Sequence, residues 1–112
     1  MKYTYTFDQL RDTDDAISRL FENYETTMRR FGGVNHDLYF TADHGIVEAP
    51  DELTACERLY AAYNADRRPA GYTGRSMSVS DVVRLWDNSV DPPTESVWFC
   101  DSIGFVRLEV TA

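Results

Sequence analysis

The chain is poor in the residues that build metal and redox centres: two histidines and two cysteines, with no CxxC pair. A metal site asks for His, Cys and carboxylates clustered at local spacing. His36 and His44, with Asp37 and Asp43 beside them, flank a predicted strand. If it is straight, eight residues hold the imidazoles about 25 Å apart, too far for one ion; only a tight fold of the segment would unite them. Cys56 falls among apolar helix positions and Cys100 within an apolar strand, so both read as small core residues in a reducing cytosol. Ser76, Ser78 and Ser80 have no histidine near them in sequence and no GxSxG elbow occurs, which leaves nucleophilic catalysis unsupported. The Gly71–Ser76 segment is glycine-bearing but lacks the Lys and the spacing of a phosphate loop. Apolar runs stay well short of the ~20 residues that cross a bilayer, and Met1–Phe7 alternates like a strand rather than a signal peptide. The expectation is a cytoplasmic protein with no metal or cofactor.

Positive charge is also missing where it would matter. Eleven Lys and Arg face nineteen Asp and Glu, a net charge of −8 that repels phosphate backbones and anionic lipid. Direct nucleic-acid and membrane binding are therefore not expected. Gly32–Glu57 contains no Lys or Arg, yet holds Asp37, Asp43, Glu48, Asp51, Glu52 and Glu57. Leu85–Val106 repeats the pattern with Asp87, Asp91, Glu95 and Asp101. These two stretches make one acidic face if the fold brings them together; the plainer alternative is that they keep the protein in solution. Arg67, Arg68 and Arg75 form a small basic island, placed to meet a phosphate, a partner's carboxylates, or simply Asp66 and Asp81.

What is abundant is core material. With 43% apolar and 13% aromatic residues in 112, one domain spanning 1–112 can close a core unaided. Lys2–Phe7 alternates as a first strand. Asp12–Asp15 offers caps and charge to a helix from about Asp14 to Arg30, whose stripe is Ile17, Leu20, Phe21, Tyr24, Met28 and Phe31, stopped by Gly32–Gly33. Val34–Ala42 reads as strand two, Asp43–Gly45 as a turn and Ile46–Val47 as a short return. After Pro50 a second helix carries Leu53, Cys56, Leu59, Tyr60 and Tyr63 inward. A single helical turn over Ser76–Asp81, a hairpin of Val82–Trp86 with Val97–Cys100, a turn at Asp101–Gly104 and a last strand Phe105–Val110 complete the reading. The fold expected is α+β: a small mixed, mainly antiparallel sheet packed on one face by two main helices.

Two blocks, Gly74–Val83 and Asp101–Phe105, carry the densest polar pattern. Ser78 or Ser80 can cap the amides of a short turn and Asp81 adds a charged acceptor. Asp101 and Ser102 can do the same beside the hairpin, and Gly104 permits a positive φ. On this reading the blocks brace each other; the enzymatic alternative pairs Asp81 with Asp101 across the hairpin base, sharing a proton or a cation. The same blocks, with Leu59-Tyr60, Tyr63-Asn64 and Arg68-Pro69, resemble the YodL-like family, small domains of phage, conjugative and other mobile-element proteins. Met77 stands where that family usually has Leu, Phe99-Cys100 where Tyr-Val is common, and the Pro92-Pro93 loop is unusual. The resemblance implies an accessory protein of a bacterial mobile element and carries no reaction with it.

Resemblance and charge together lead to a non-enzymatic protein that binds a host protein, most concretely an anti-defence inhibitor (anti-CRISPR or anti-restriction). Its acidic surface would occupy the basic nucleic-acid groove of a nuclease or CRISPR effector. Asp37, Asp43, Glu48, Asp51, Glu52 and Glu57 are the partner-binding candidates. The alternative is a structural or regulatory module of a larger phage or conjugative assembly, held by an exposed aromatic patch at Tyr72, Trp86 or Trp98.

Overall fold

Tyr3, Tyr5 and Phe7 are buried while Lys2 and Thr4 are exposed, the period-two pattern of a strand with one covered face. In the computed structural model, which describes residues 1–109, that strand is β1, Lys2–Leu10. It is three residues longer than the alternation indicates. The pairing of β1 with β2 (Tyr39–Glu48) shifts between Phe7 and Asp8, and beyond the bulge Asp8, Gln9 and Leu10 are all buried.

The five strands run in the order β2-β1-β3-β4-β5, with β3 at Val82–Asp87, β4 at Thr94–Cys100 and β5 at Phe105–Leu108. Every neighbouring pair is antiparallel, giving the expected small α+β fold. Val110, the predicted end of the last strand, lies outside the described residues.

Helices cover both faces of the sheet, where the chain order pointed to one. The reason is visible in β3: Val82 and Val83 are adjacent and both fully buried, so each face needs a cover. One is supplied by the helix Glu52–Asn64, which lays Ala55, Cys56, Leu59 and Tyr63 on Tyr3, Tyr5, Phe7, Val83 and Leu85. On the other, Ala16, Leu20 and Tyr24 pack on Leu10, Val82, Val97 and Phe99. We number the helices α1 (Asp14–Ile17), α2 (Tyr24–Phe31) and α3 (Glu52–Asn64).

Three local readings change. The predicted Asp14–Arg30 helix is split, because Phe21 sits at φ 65°, a conformation no helix accommodates. Asn23 then caps α2 by accepting from the Thr26 N–H at 2.8 Å. Asp43–Gly45 is no turn: β2 runs straight through it. Gly45 is there because Tyr5 lies against the backbone, and an added Cβ would stand 3.1 Å from the ring. At 76–81 the expected helical turn is a tight hydrogen-bonded turn instead, Asp81 N–H to Ser78 C=O at 3.1 Å, with Ser80 at φ 86°.

Candidate functional site

The acidic face is organised by α3. Asp51 caps it, its Oδ1 accepting from the Thr54 N–H at 2.7 Å; this bond holds the exposed carboxyl below its ordinary range. Glu52 follows in the first turn, 3.7 Å from Arg107 of β5, and acidic residues there suit the helix dipole. One turn on, Glu57 is exposed at a groove of about 310 Å³ shared with Tyr60, Asp101 and Phe105. Tyr60 and Phe105 form its aromatic wall, edge to face at 6.4 Å.

The two acidic stretches therefore meet at this groove. Glu57 shares the groove with Asp101. At the head of α3, the Tyr3 hydroxyl is pushed up by burial and then by the charges of Asp87, Glu52 and Asp51. Glu48 ends β2 beside them, exposed. Two cations interrupt the face: Arg58 donates to the Glu48 C=O at 2.6 Å, and Arg107 pairs with Glu52 while lying 5.8 Å over the Trp98 ring.

Two of the six candidate residues have other places. Asp43 is committed inward: it accepts from the Tyr63 hydroxyl at 2.6 Å, and that hydroxyl lies 2.7 Å from Tyr5 Oη. Burial and the Asp43 carboxylate hold the Tyr63 hydroxyl protonated, far above its ordinary range. Asp37 belongs to a 3-10 turn, His36–Leu38, at a cleft with Arg19 and Phe31, and joins none of the others. Of the second stretch, Glu95 is neutralised by Arg84 at 2.9 Å, which also binds Asp8 at 3.1 Å. Beside that cluster, burial and then Arg84 lower the basicity of His36.

The block at 74–83 is tied to β4 at the residue before the second block: Ser80 N–H donates to the Cys100 C=O at 2.9 Å and Cys100 N–H to the Asp81 C=O at 2.8 Å. The block at 101–105 closes its own turn, Asp101 N–H donating to the Gly104 C=O at 2.9 Å, while Gly104 takes φ 71°. Asp81 is fully buried; it accepts from the Ser78 N–H at 2.8 Å and from Arg75 at 3.0 Å. Burial pushes its carboxyl up to about 6 against the pull of Arg75 and that N–H. Asp101 turns to another task, accepting from the Tyr24 N–H at 3.0 Å and its neighbour Ser102 N–H at 2.9 Å. The two carboxylates share no hydrogen-bond donor.

Among the described residues no three His, Cys, Asp or Glu side chains are grouped to hold a metal ion, and no helix is long and apolar enough to cross a membrane. The basic island is dispersed: Arg75 serves Asp81, and Arg68 donates to the Gly74 C=O at 3.0 Å. Cys56 and Cys100 are buried and free, the Cys100 thiol pushed up to about 12 by burial and then by Asp81 and Asp101. Tyr72, Trp86 and Trp98 are all half-buried and form no exposed aromatic patch. Sequence reasoning missed instead that Ile17, Phe21 and Phe40 are 50%, 57% and 41% exposed. Ile17 and Phe21 lie on the stripe that helical spacing turns toward the core, and the break in the helix at Phe21 is what releases them.

A family model described as YodL-like domain matches residues 4–110. No curated protein and no solved structure matches the chain.

Proposed function

The chain belongs to the YodL-like domain family, and from its acidic α3 face we propose that it is a non-enzymatic mobile-element protein acting in the bacterial cytoplasm by binding a host protein. In its concrete form it is an anti-defence inhibitor whose carboxylates occupy the Lys and Arg of a nuclease or CRISPR effector groove. The observation carrying this reading is the meeting of the two stretches free of Lys and Arg at α3, where Glu57 and Asp101 share one groove. A predominantly acidic face speeds and orients encounter with a basic groove. At the motif both carboxylates are held in structural bonds, Asp81 with Arg75 and Asp101 with the Tyr24 N–H.

The test is protection. Cells carrying an active restriction or CRISPR system are challenged with phage while expressing the protein, its Glu48→Lys/Glu57→Lys variant, or an Asp37→Lys control. The proposal expects protection of the phage by the parent and the control, and its loss with the double variant. Undiminished protection by a folded double variant sinks the acidic-surface reading.

A further inference from the structure

The groove beside α3 has more structure than an acidic surface needs. Glu57 and Tyr60 stand three residues apart on α3, the spacing that puts two side chains on one helix face. Phe105, the first residue of β5, closes the corner. Its ring and that of Tyr60 are nearly perpendicular, at 84° with 6.4 Å between centroids. Tyr60 is 43% exposed, so its ring remains open to a further contact. Both rings line about 310 Å³ of open space, a corner in which a cation can meet more than one π system.

The charge in this corner does not cancel. Glu57 and Asp101 line the groove and no Lys or Arg does, and among the described residues neither carboxylate forms an ion pair. The two cations of the α3 face are committed elsewhere, Arg58 to the Glu48 C=O and Arg107 to Glu52. Asp101 is also fixed before any partner arrives. Its Oδ1 takes the Tyr24 and Ser102 N–H groups, its own N–H closes the turn on the Gly104 C=O, and Oδ2 accepts no hydrogen bond among the described residues. A carboxylate held in this way gives up little freedom on binding. At the tip of the same turn Ile103 is 92% exposed, between two residues that line the groove, which gives a peptide chain an apolar contact beside it.

We propose that this groove receives one cationic side chain, an arginine or lysine of a protein partner. Its apolar stem lies against Tyr60 and Phe105, and its charged head meets Glu57 and Asp101. The proposal rests on the reading that the α3 face meets a basic partner, and it names the point of engagement. Uncancelled negative charge selects against an acidic occupant. The aromatic walls select a cation with an organic stem over a bare metal ion, for which no third His, Cys or carboxylate is grouped among the described residues.

The test is a titration of the full chain, followed by NMR, with the capped peptides Gly-Arg-Gly and Gly-Lys-Gly and their neutral counterparts carrying citrulline and norleucine. The charged peptides should shift the Tyr60 and Phe105 ring resonances saturably, and the neutral ones should not. Tyr60→Leu keeps an apolar wall but removes the π face, so affinity should fall about threefold, whereas Tyr60→Phe should bind as the parent does. Glu57→Gln should weaken binding as well. Because Tyr60 and Glu57 are exposed, these variants should fold like the parent. No shift with the charged peptides, equal binding of the citrulline peptide, or parental affinity in Tyr60→Leu overturns the proposal; the last outcome would leave a charged surface without a pocket. Tighter binding of free arginine than of the capped peptide also overturns it, making a small solute the occupant. Peptide binding without protection of phage would sink the anti-defence reading and leave the groove standing, and protection without peptide binding would do the reverse.

Discussion

Around α3 the carboxylates of Glu48, Asp51 and Glu57 face water, and at the foot of β3 one carboxylate has been withdrawn from it. Asp51, Glu48 and Glu57 are exposed and screened, each touching little besides solvent or a cap amide. Asp81 is enclosed and holds Arg75 and the 76–78 backbone in place. The first arrangement leaves charge available to a partner at small internal cost. The second uses charge to fix one conformation, because a buried carboxylate is tolerated only where donors answer it. The segments that carry the family resemblance belong to the second kind. They speak to how the domain holds its shape, and function has to be sought on the surfaces that shape presents.

The comparison breaks most visibly at Asp81. Replacing it by Ala leaves the Ser78 N–H and Arg75 without their acceptor and loosens the loop that carries Phe21. About 2–3 kcal/mol of stability should be lost in denaturant unfolding, the low end of buried-pair effects because Arg75 is partly exposed. The loss should depend on pH with a definite sign. The Asp81 carboxyl rises from 3.8 to about 6 on folding, so the folded state holds a proton that the unfolded chain releases. This contribution is complete below about pH 4 and is lost as pH rises through about 6. The stability gap between parent and Asp81→Ala should therefore be wider at pH 4.5 than at pH 7.5. Asp51 and Asp87, whose carboxyls are lowered by their hydrogen bonds, change stability only in more acid solution. A gap that is flat across this range would show that burial does not govern the Asp81 carboxyl.

Tyr63 sharpens the contrast, since it joins an inward Asp of the acidic stretch to the core. Tyr63→Phe keeps the ring against Phe7 and Tyr72 and removes the hydroxyl between Tyr5 and Asp43. The expected loss is about 1–2 kcal/mol, read from the midpoint of chemical unfolding. No loss would return Asp43 to the exposed class and make it an interface candidate again.

How much of this was legible follows the same division. The strands, α3 with its Asp51 start, the hairpin and the positive φ at Gly104 are local matters, written in alternation, capping residues and glycine. The broken first helix was not legible, because its cause is Ser80, 59 residues away along the chain. The continuity of β2 was hidden for a similar reason: Asp43–Gly45 has turn residues, but Tyr63 gives Asp43, and Tyr5 gives Gly45, a tertiary partner. Of the acidic candidates, the sequence identified the Glu48–Glu57 group as charged surface. It held no sign that Asp43 turns inward or that Asp37 stands apart, since both depend on pairing across the sheet.

Asp51 stands between the two uses and separates them by substitution. Asp51→Ala removes the cap and should cost about 1 kcal/mol, while Asp51→Asn keeps the acceptor and should cost a few tenths. If the acidic face binds a partner, Asn should nevertheless weaken protection, as Ala does. Protection that follows stability instead of charge would place Asp51 wholly among the structural carboxylates.

Glu57 carries the smallest expected effect on the fold and the cleanest test of the surface. It is exposed, and among the described residues it makes no hydrogen bond or ion pair through its side chain. Glu57→Lys should therefore leave stability within about 0.5 kcal/mol of the parent. A lysine there would face Asp101 across the groove and turn its mouth from repelling anions to neutral. If the groove receives a partner's Lys or Arg, association should slow and lose part of its salt dependence while unfolding is unchanged. An unchanged association rate and salt slope would mean that Glu57 only keeps the protein in solution, and would shift attention to Asp51 and Glu52 at the head of α3.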